Sequence, residues 1–178
     1  MNPTQSRGAH AHATGLGGPE HESLGASLPL LRRLAASEIA FYVKVKAAHW
    51  TVFGPFFREI HFLLDDIAKV SIGAIDDVAE RISQIGGVPP LGIADVSGLS
   101  VVKDRSAVKL SNREALEAIL ADMGALVAMY REATAVADEN KDAATVDTLS
   151  KIVVGHEKYG WFLRETLVRE GGNHQGTL

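Results

Sequence analysis

His49, His61, Asp65, Asp76 and Glu80 are of types that bind divalent metals, at spacings that make sense once two copies of the chain come together. Imidazoles and carboxylates together form the ligand set of a redox-capable or borderline divalent ion. If residues 55–84 form one helix, about 100° per residue places His61, Asp65, Asp76 and Glu80 within an arc of roughly 100° on one face. They fall into two groups. Asp65 and Asp76 are eleven positions apart, so a rise of about 1.5 Å per residue separates the groups by roughly 17 Å. One ion cannot bridge that distance, because its bonds to oxygen or nitrogen are only about 2.0–2.2 Å long. A second copy of the helix, antiparallel about a two-fold near Val70 and Ser71, would set the His61/Asp65 end of one chain opposite the Asp76/Glu80 end of the other. A symmetric dimer then holds two identical sites. Residues 70–74 (Val, Ser, Ile, Gly, Ala) are mostly small, which lets two backbones approach. If the chain turns over at Phe53, Gly54 and Pro55, His49 lies as far before the turn as His61 lies after it, and a helical hairpin sets them side by side. Taken singly, a histidine on an apolar face reads as a core residue and an acid pair four apart as a solvated stripe. Their conjunction among Phe62, Leu63, Leu64, Ile67, Ile72, Ile75 and Val78 favours a site.

The elements that must position these residues are helical. Ser27, Leu28 and Pro29 read as a cap and early helix positions, and apolar stripes then run to the turn, giving a first helix over 28–52. The second ends where Gly86, Gly87, Val88, Pro89 and Pro90 forbid continuation. A long irregular link over 88–110 follows, with a short helical piece expected over 93–99. Ser111, Asn112, Arg113 and Glu114 form a capping-box sequence that opens the third long helix. The stretch 138–142 breaks the apolar pattern, which resumes from Val146 to Leu167. The expected fold is all-α: a ferritin-like four-helix bundle with a short extra helix in the long connection between helices 2 and 3. The expected organisation is a flexible tail over 1–23, the bundle over 24–170 and a short tail over 171–178.

Composition removes several alternatives. A chain of 178 residues suits one domain with a substantial core. There is no cysteine, hence no disulfide framework and no thiolate ligation of zinc or an iron–sulfur cluster. The net charge of −4 argues against a generally basic nucleic-acid binder. No apolar run approaches the roughly 20 residues of a membrane span, and the N-terminus lacks the apolar core of a signal peptide, so the cytoplasm is the expected location.

The string from Tyr42 through Lys46, His49 and Trp50, then Gly54, Pro55, Phe57, His61, Asp65, Asp76, Glu80, Arg81, Gly86 and Gly87, resembles the Dps family of miniferritins from about Leu24 to Glu170. The resemblance implies a hollow dodecamer built from two-fold dimers. It would oxidise ferrous iron, preferentially with hydrogen peroxide rather than oxygen, and store the ferric mineral, protecting DNA and cell from oxidative damage. It also implies that His49, His61 and Asp65 come from one subunit and Asp76 and Glu80 from its mate, with iron as the metal. Zinc also fits nitrogen and oxygen ligands, so a structural zinc at the interface stays open. By the same pattern Trp50 lies near the metals and intercepts stray oxidising equivalents, or is simply an interface aromatic. Lys46 either donates a hydrogen bond across the interface near the metals or is a solvated lysine. Arg81 holds the dimer or a carboxylate. The family's three-fold pore draws attention to Asp138, Asp142 and Asp147, read at the start of the fourth helix, where carboxylates are also expected as caps.

A nucleoid-binding structural protein with a secondary metal site is the competing reading. Duplex affinity depends on Lys and Arg meeting phosphates. The first 23 residues offer Arg7 alone against Glu20 and Glu22, and no Lys or Arg follows Glu170. His10, His12 and His21 add positive charge only in acid, or bind a metal of their own, or belong to an ordinary linker. Weak DNA binding at neutral pH is therefore expected, with no membrane partner.

Overall fold

The computed structural model describes residues 25–103 and 110–170. The tails over 1–23 and 171–178, with His10, His12 and His21, lie outside the described residues. A 3-10 turn, Gly25–Ser27, leads into α1 (Leu28–Thr51), followed by α2 (Phe57–Gln84), the short α3 (Ile93–Leu99), α4 (Asn112–Glu139) and α5 (Ala143–Glu170). Among the described residues every element is helical, and four long helices form the bundle. The hairpins α1/α2 and α4/α5 pack on one another through α1 with α4 and α2 with α5, and α3 lies against α1.

Each long helix buries one stripe. On α2 the stripe is Ile60, Leu64, Ile67, Ala74, Val78 and Ile82, the three-and-four spacing of one helical face. Leu31, Leu34, Phe41 and Val45 of α1 face it together with Leu116, Ile119, Leu126 and Tyr130 of α4 and Leu149 and Leu163 of α5. Burying one such side chain fully is worth about 1.5–3 kcal/mol, so the sequence periodicity carries most of the cohesion of the bundle.

The ends of the helices depart from expectation in two places. Ser27 has the position of a cap but makes no capping bond, since its backbone is already helical in the 3-10 turn. The second helix begins at Phe57, two residues later than Pro55, because Gly54 (φ 81) and Phe56 (φ 56) both adopt left-handed conformations and turn the chain before it can wind. The C-terminus of α2 falls where the glycines foretell. Gly86 is left-handed at φ 80, its N–H donates to Ser83 and that of Gly87 to Ile82 at 2.8 Å, closing a Schellman motif. A Cβ on Gly87 would meet a Leu28 methyl and Ile82 Cγ2 at 2.4 and 2.8 Å, so any side chain here would have to push both aside. Ser111 does form the capping box, accepting from Glu114 N–H while Glu114 accepts from Ser111 N–H at 2.9 Å.

The long link is tied back to α1. The Val101 N–H donates to Ser37 Oγ at 3.0 Å, and Lys44, ion-paired with Asp122, donates to the Lys103 carbonyl.

Candidate metal centre

The turn between α1 and α2 brings His49 and His61 face to face, with ring centroids 3.7 Å apart and planes 24° from parallel. Their hydrogen bonds are reciprocal. His49 Nδ1 lies 2.9 Å from the His61 carbonyl and His61 Nδ1 lies 3.0 Å from the His49 carbonyl. A carbonyl only accepts, so each Nδ1 carries a hydrogen, and in the neutral ring the lone pair is then on Nε2, the tautomer a metal requires. The arrangement also has a backbone reason. His49 stands in the last turn of α1, where carbonyls lack an intrahelical partner, and the His61 ring supplies one.

The turn itself is clamped by a residue that sequence reasoning credited only with helix initiation. Asn112, buried at the start of α4, accepts from the Phe53 N–H at 3.1 Å and donates to the Phe53 carbonyl at 2.7 Å. A side-chain amide has both functions of a backbone peptide, which is why Asn suits this place.

One turn after His61, Asp65 carries two cationic neighbours, Lys46 at 3.0 Å and Lys69 at 3.2 Å. The hydrogen bond from Lys46, followed by that from Lys69, holds its carboxyl at about 2, against a small opposing effect of burial. Asp65 is thus ionised at any ordinary pH, and an incoming cation competes with two ammonium groups rather than with a proton. Lys46 is not the freely solvated lysine that was the alternative: its side chain is largely covered and lies on the carboxylate of its own subunit. Lys69 had not been singled out, although its i, i+4 spacing from Asp65 was readable.

Asp76 and Glu80 are exposed, about three turns further along the same helix. Among the described residues no group of three or more His, Asp or Glu side chains is gathered to hold a metal within one subunit. The structure thus brings together His49 and His61 only: Asp65, a turn further along α2, is held by lysines, and Asp76 and Glu80 lie apart from all three. The surface around these residues also shows large apolar groups, with Phe62 and Ile72 each about half exposed and Trp50, beside His49, 70% exposed. Of the small residues near the expected two-fold, Ser71 and Ala74 point into the subunit's own core, while Ile72 and Gly73 face outward.

The three pore candidates separate. Asp138 belongs to the last turn of α4 rather than to the start of the fourth long helix, α5, and is exposed. Asp147 is exposed and pairs with Lys151 at 2.6 Å. Asp142 is buried and fully engaged, which overturns its reading as a pore carboxylate. It accepts from Arg81 Nη2 at 2.7 Å, from the Thr145 N–H at 3.0 Å and from the Thr145 hydroxyl at 2.5 Å. Its own N–H closes a Schellman motif on the Ala137 carbonyl, with Lys141 left-handed before it. Asp142 thus ends α4 and caps α5. Burial would raise its pKa, but the hydrogen bonds from Thr145 and Arg81 prevail and lower it. Arg81 accordingly holds a carboxylate, one of the two roles expected of it.

Known proteins carry the same organisation. The ferritin-like domain family matches residues 28–170. A DNA protection during starvation protein of Brevibacillus brevis is 35% identical over 138 residues, covering 78% of this chain and 92% of that protein. The chain belongs to the Dps family of ferritin-like proteins. The crystal structure of a Dps protein from Bacillus brevis superposes with a TM-score of 0.78 at 33% identity, covering 82% of this chain and 97% of the other. Dps from Thermosynechococcus elongatus gives 0.79 at 27% identity, over 84% and 95% of the two chains. Among the described residues no helix of this Dps-family chain is long and apolar enough to cross a membrane.

Proposed function

We propose that this chain is a ferroxidase and iron-storage subunit whose reaction centre is shared between two copies. The observation that carries the reading is the stacked pair of histidines with both Nδ1 atoms committed to backbone carbonyls, which leaves Nε2 of each ring for a metal, with the ionised Asp65 one helical turn beyond His61. Asp76 and Glu80 of the mate complete the ligand set when α2 crosses its copy near Ile72 and Gly73, and the exposed Phe62 and Ile72 are covered in the same step. Nitrogen and carboxylate donors suit ferrous iron as substrate. Two ferrous ions each give one electron to one hydrogen peroxide, which takes up two protons and becomes two waters, so no hydroxyl radical is released. The ferric product is stored within a dodecameric shell, and Trp50 intercepts oxidising equivalents that escape. Lys46 and Lys69 neutralise Asp65 until iron displaces them.

Anaerobic ferrous iron and peroxide mixed with the protein should give a fast rise in ferric absorbance. His49→Ala and Asp65→Ala should abolish that phase while light scattering shows an unchanged assembly. Retained zinc with no iron oxidation would sink the reading in favour of a structural site. Relatives are named for DNA protection, which we assign here to the removal of iron and peroxide. A tight gel shift at physiological salt, lost on deleting residues 1–23, would favour the nucleoid-binding role instead.

A further inference from the structure

A second polar cluster lies at the centre of the bundle, and the ferroxidase reading makes no use of it. Each long helix contributes one member: Glu38 from α1, Ser71 from α2, Tyr130 from α4 and His156 from α5. Glu38 is 0% and His156 1% exposed. Tyr130 OH donates to Glu38 Oε1 at 2.9 Å and Ser71 Oγ to Oε2 at 2.7 Å. His156 Nε2 stands 2.7 Å from Glu38 Oε1, while its Nδ1 is 3.1 Å from the Ile152 carbonyl.

Counting protons settles what this geometry needs. The Ile152 carbonyl only accepts, so Nδ1 must carry a hydrogen. In a neutral imidazole Nε2 would then present a lone pair to a carboxylate oxygen at hydrogen-bond distance, two acceptors in contact in the driest part of the protein. One further proton on the pair relieves that repulsion. Both oxygens of Glu38 already receive hydroxyl donors, which suits a carboxylate, so the proton resides on the imidazole and the pair is an imidazolium with its counter-ion. Removing it leaves a buried uncompensated negative charge, the costly case for such pairs.

We propose that this proton is a built-in pH-sensitive lock: the four helices cohere most strongly while Glu38 and His156 share it, and loosen when alkali withdraws it. The groups facing the pair from each packed helix support the direction. From α1, among the described residues, the charged group acting on His156 is its partner Glu38. From α2 come the neutral Ser71 and, acting more remotely on Tyr130, the carboxylate of Asp77. From α4 comes the phenol of Tyr130, which burial first and then the charge of Glu38 keep protonated well beyond its ordinary range. Burial disfavours a charge on His156, but the hydrogen bond and attraction of Glu38, with the Ile152 carbonyl, outweigh it and raise the imidazole above its ordinary 6.5. A raised folded-state pKa contributes stability that is complete below the unfolded value of 6.5 and is lost as pH climbs through the folded value.

The test is thermal or urea unfolding of the full-length protein, kept metal-free with chelator, between about pH 6 and 9. His156→Gln retains an amide N–H towards Glu38 but does not titrate, and Glu38→Gln retains the shape of the partner without its charge. Relative to His156→Gln, the wild-type ratio of folded to unfolded protein should fall with rising pH above 6.5, approaching about tenfold per pH unit for one proton held only in the folded state. The same slope should vanish in Glu38→Gln. A wild-type profile parallel to that of either variant overturns the proposal. Should the variants fail to fold, nitrogen NMR of histidine-labelled wild type decides. One ring that keeps both nitrogens protonated to a pH above the ordinary 6.5 supports the lock, and a set of rings that all lose the second proton at or below it overturns the proposal.

Discussion

Replacing Asp142 by Ala tests whether this carboxylate is a structural pivot or an ion guide. The substitution removes the cap on Thr145 N–H, worth about 1 kcal/mol, and strips Arg81 of a charge-assisted bond worth about 1.5–3 kcal/mol. Both partners are largely buried, with side-chain exposures of 13% for Arg81 and 2% for Asp142, so water replaces little of what is lost. The sum, about 2.5–4 kcal/mol, overlaps the 3–5 kcal/mol typical of removing one partner from a buried pair. For a chain of this size each kcal/mol moves the melting point by about 2–4 °C, so the midpoint at neutral pH should fall by roughly 10 °C. The difference from wild type has a defined pH course. Because folding lowers the pKa of Asp142, its contribution is present above the unfolded value of 3.8 and disappears as pH falls through the folded value. Calorimetry at pH 7 and in acid measures both. A midpoint within about 2 °C of wild type, combined with slowed iron uptake, would refute the pivot and restore the pore reading.

Other consequences are separately measurable. Asn112→Ala should cost about 1–2 kcal/mol by urea unfolding, since it frees both backbone groups of Phe53, and should slow iron oxidation by loosening the turn that stacks His49 on His61. Lys46→Met removes the leading cause of the low pKa of Asp65, so the carboxyl titration should move up from about 2 towards the ordinary 3.8, and cobalt or ferrous iron should bind more tightly. No movement would show that Lys69 alone holds the carboxylate. Lys141→Gly should stabilise by about 1 kcal/mol, because the lysine holds a left-handed backbone at φ 59 that only glycine adopts without strain.

The helical stripes, the glycine stop after α2, the capping box of α4 and the short helix in the link were all legible in the sequence, because each rests on contacts within a few residues of chain. The hairpin placing His49 beside His61 was legible for the same reason: two helices joined by a short turn have little choice of register. The left-handed Phe56 was not, since no residue pattern forces a bulky side chain into that region. Nor was the clamp from Asn112, 59 positions away from Phe53, or the ion pair of Lys46 with Asp65 across two helices.

The sequence by itself determined which residue types share a helix face, and with them the two groups of candidate ligands, because helical geometry is periodic and local. Tertiary packing decided what each polar group does there. It gave the two histidines their tautomer and bound Asp65 to lysines. It made Asp142 the buried cap that was the alternative to a pore carboxylate, and it enclosed Glu38 with His156. Hydrogen bonds and burial depend on which atoms of distant segments meet, and that is fixed only when the four helices close on one another.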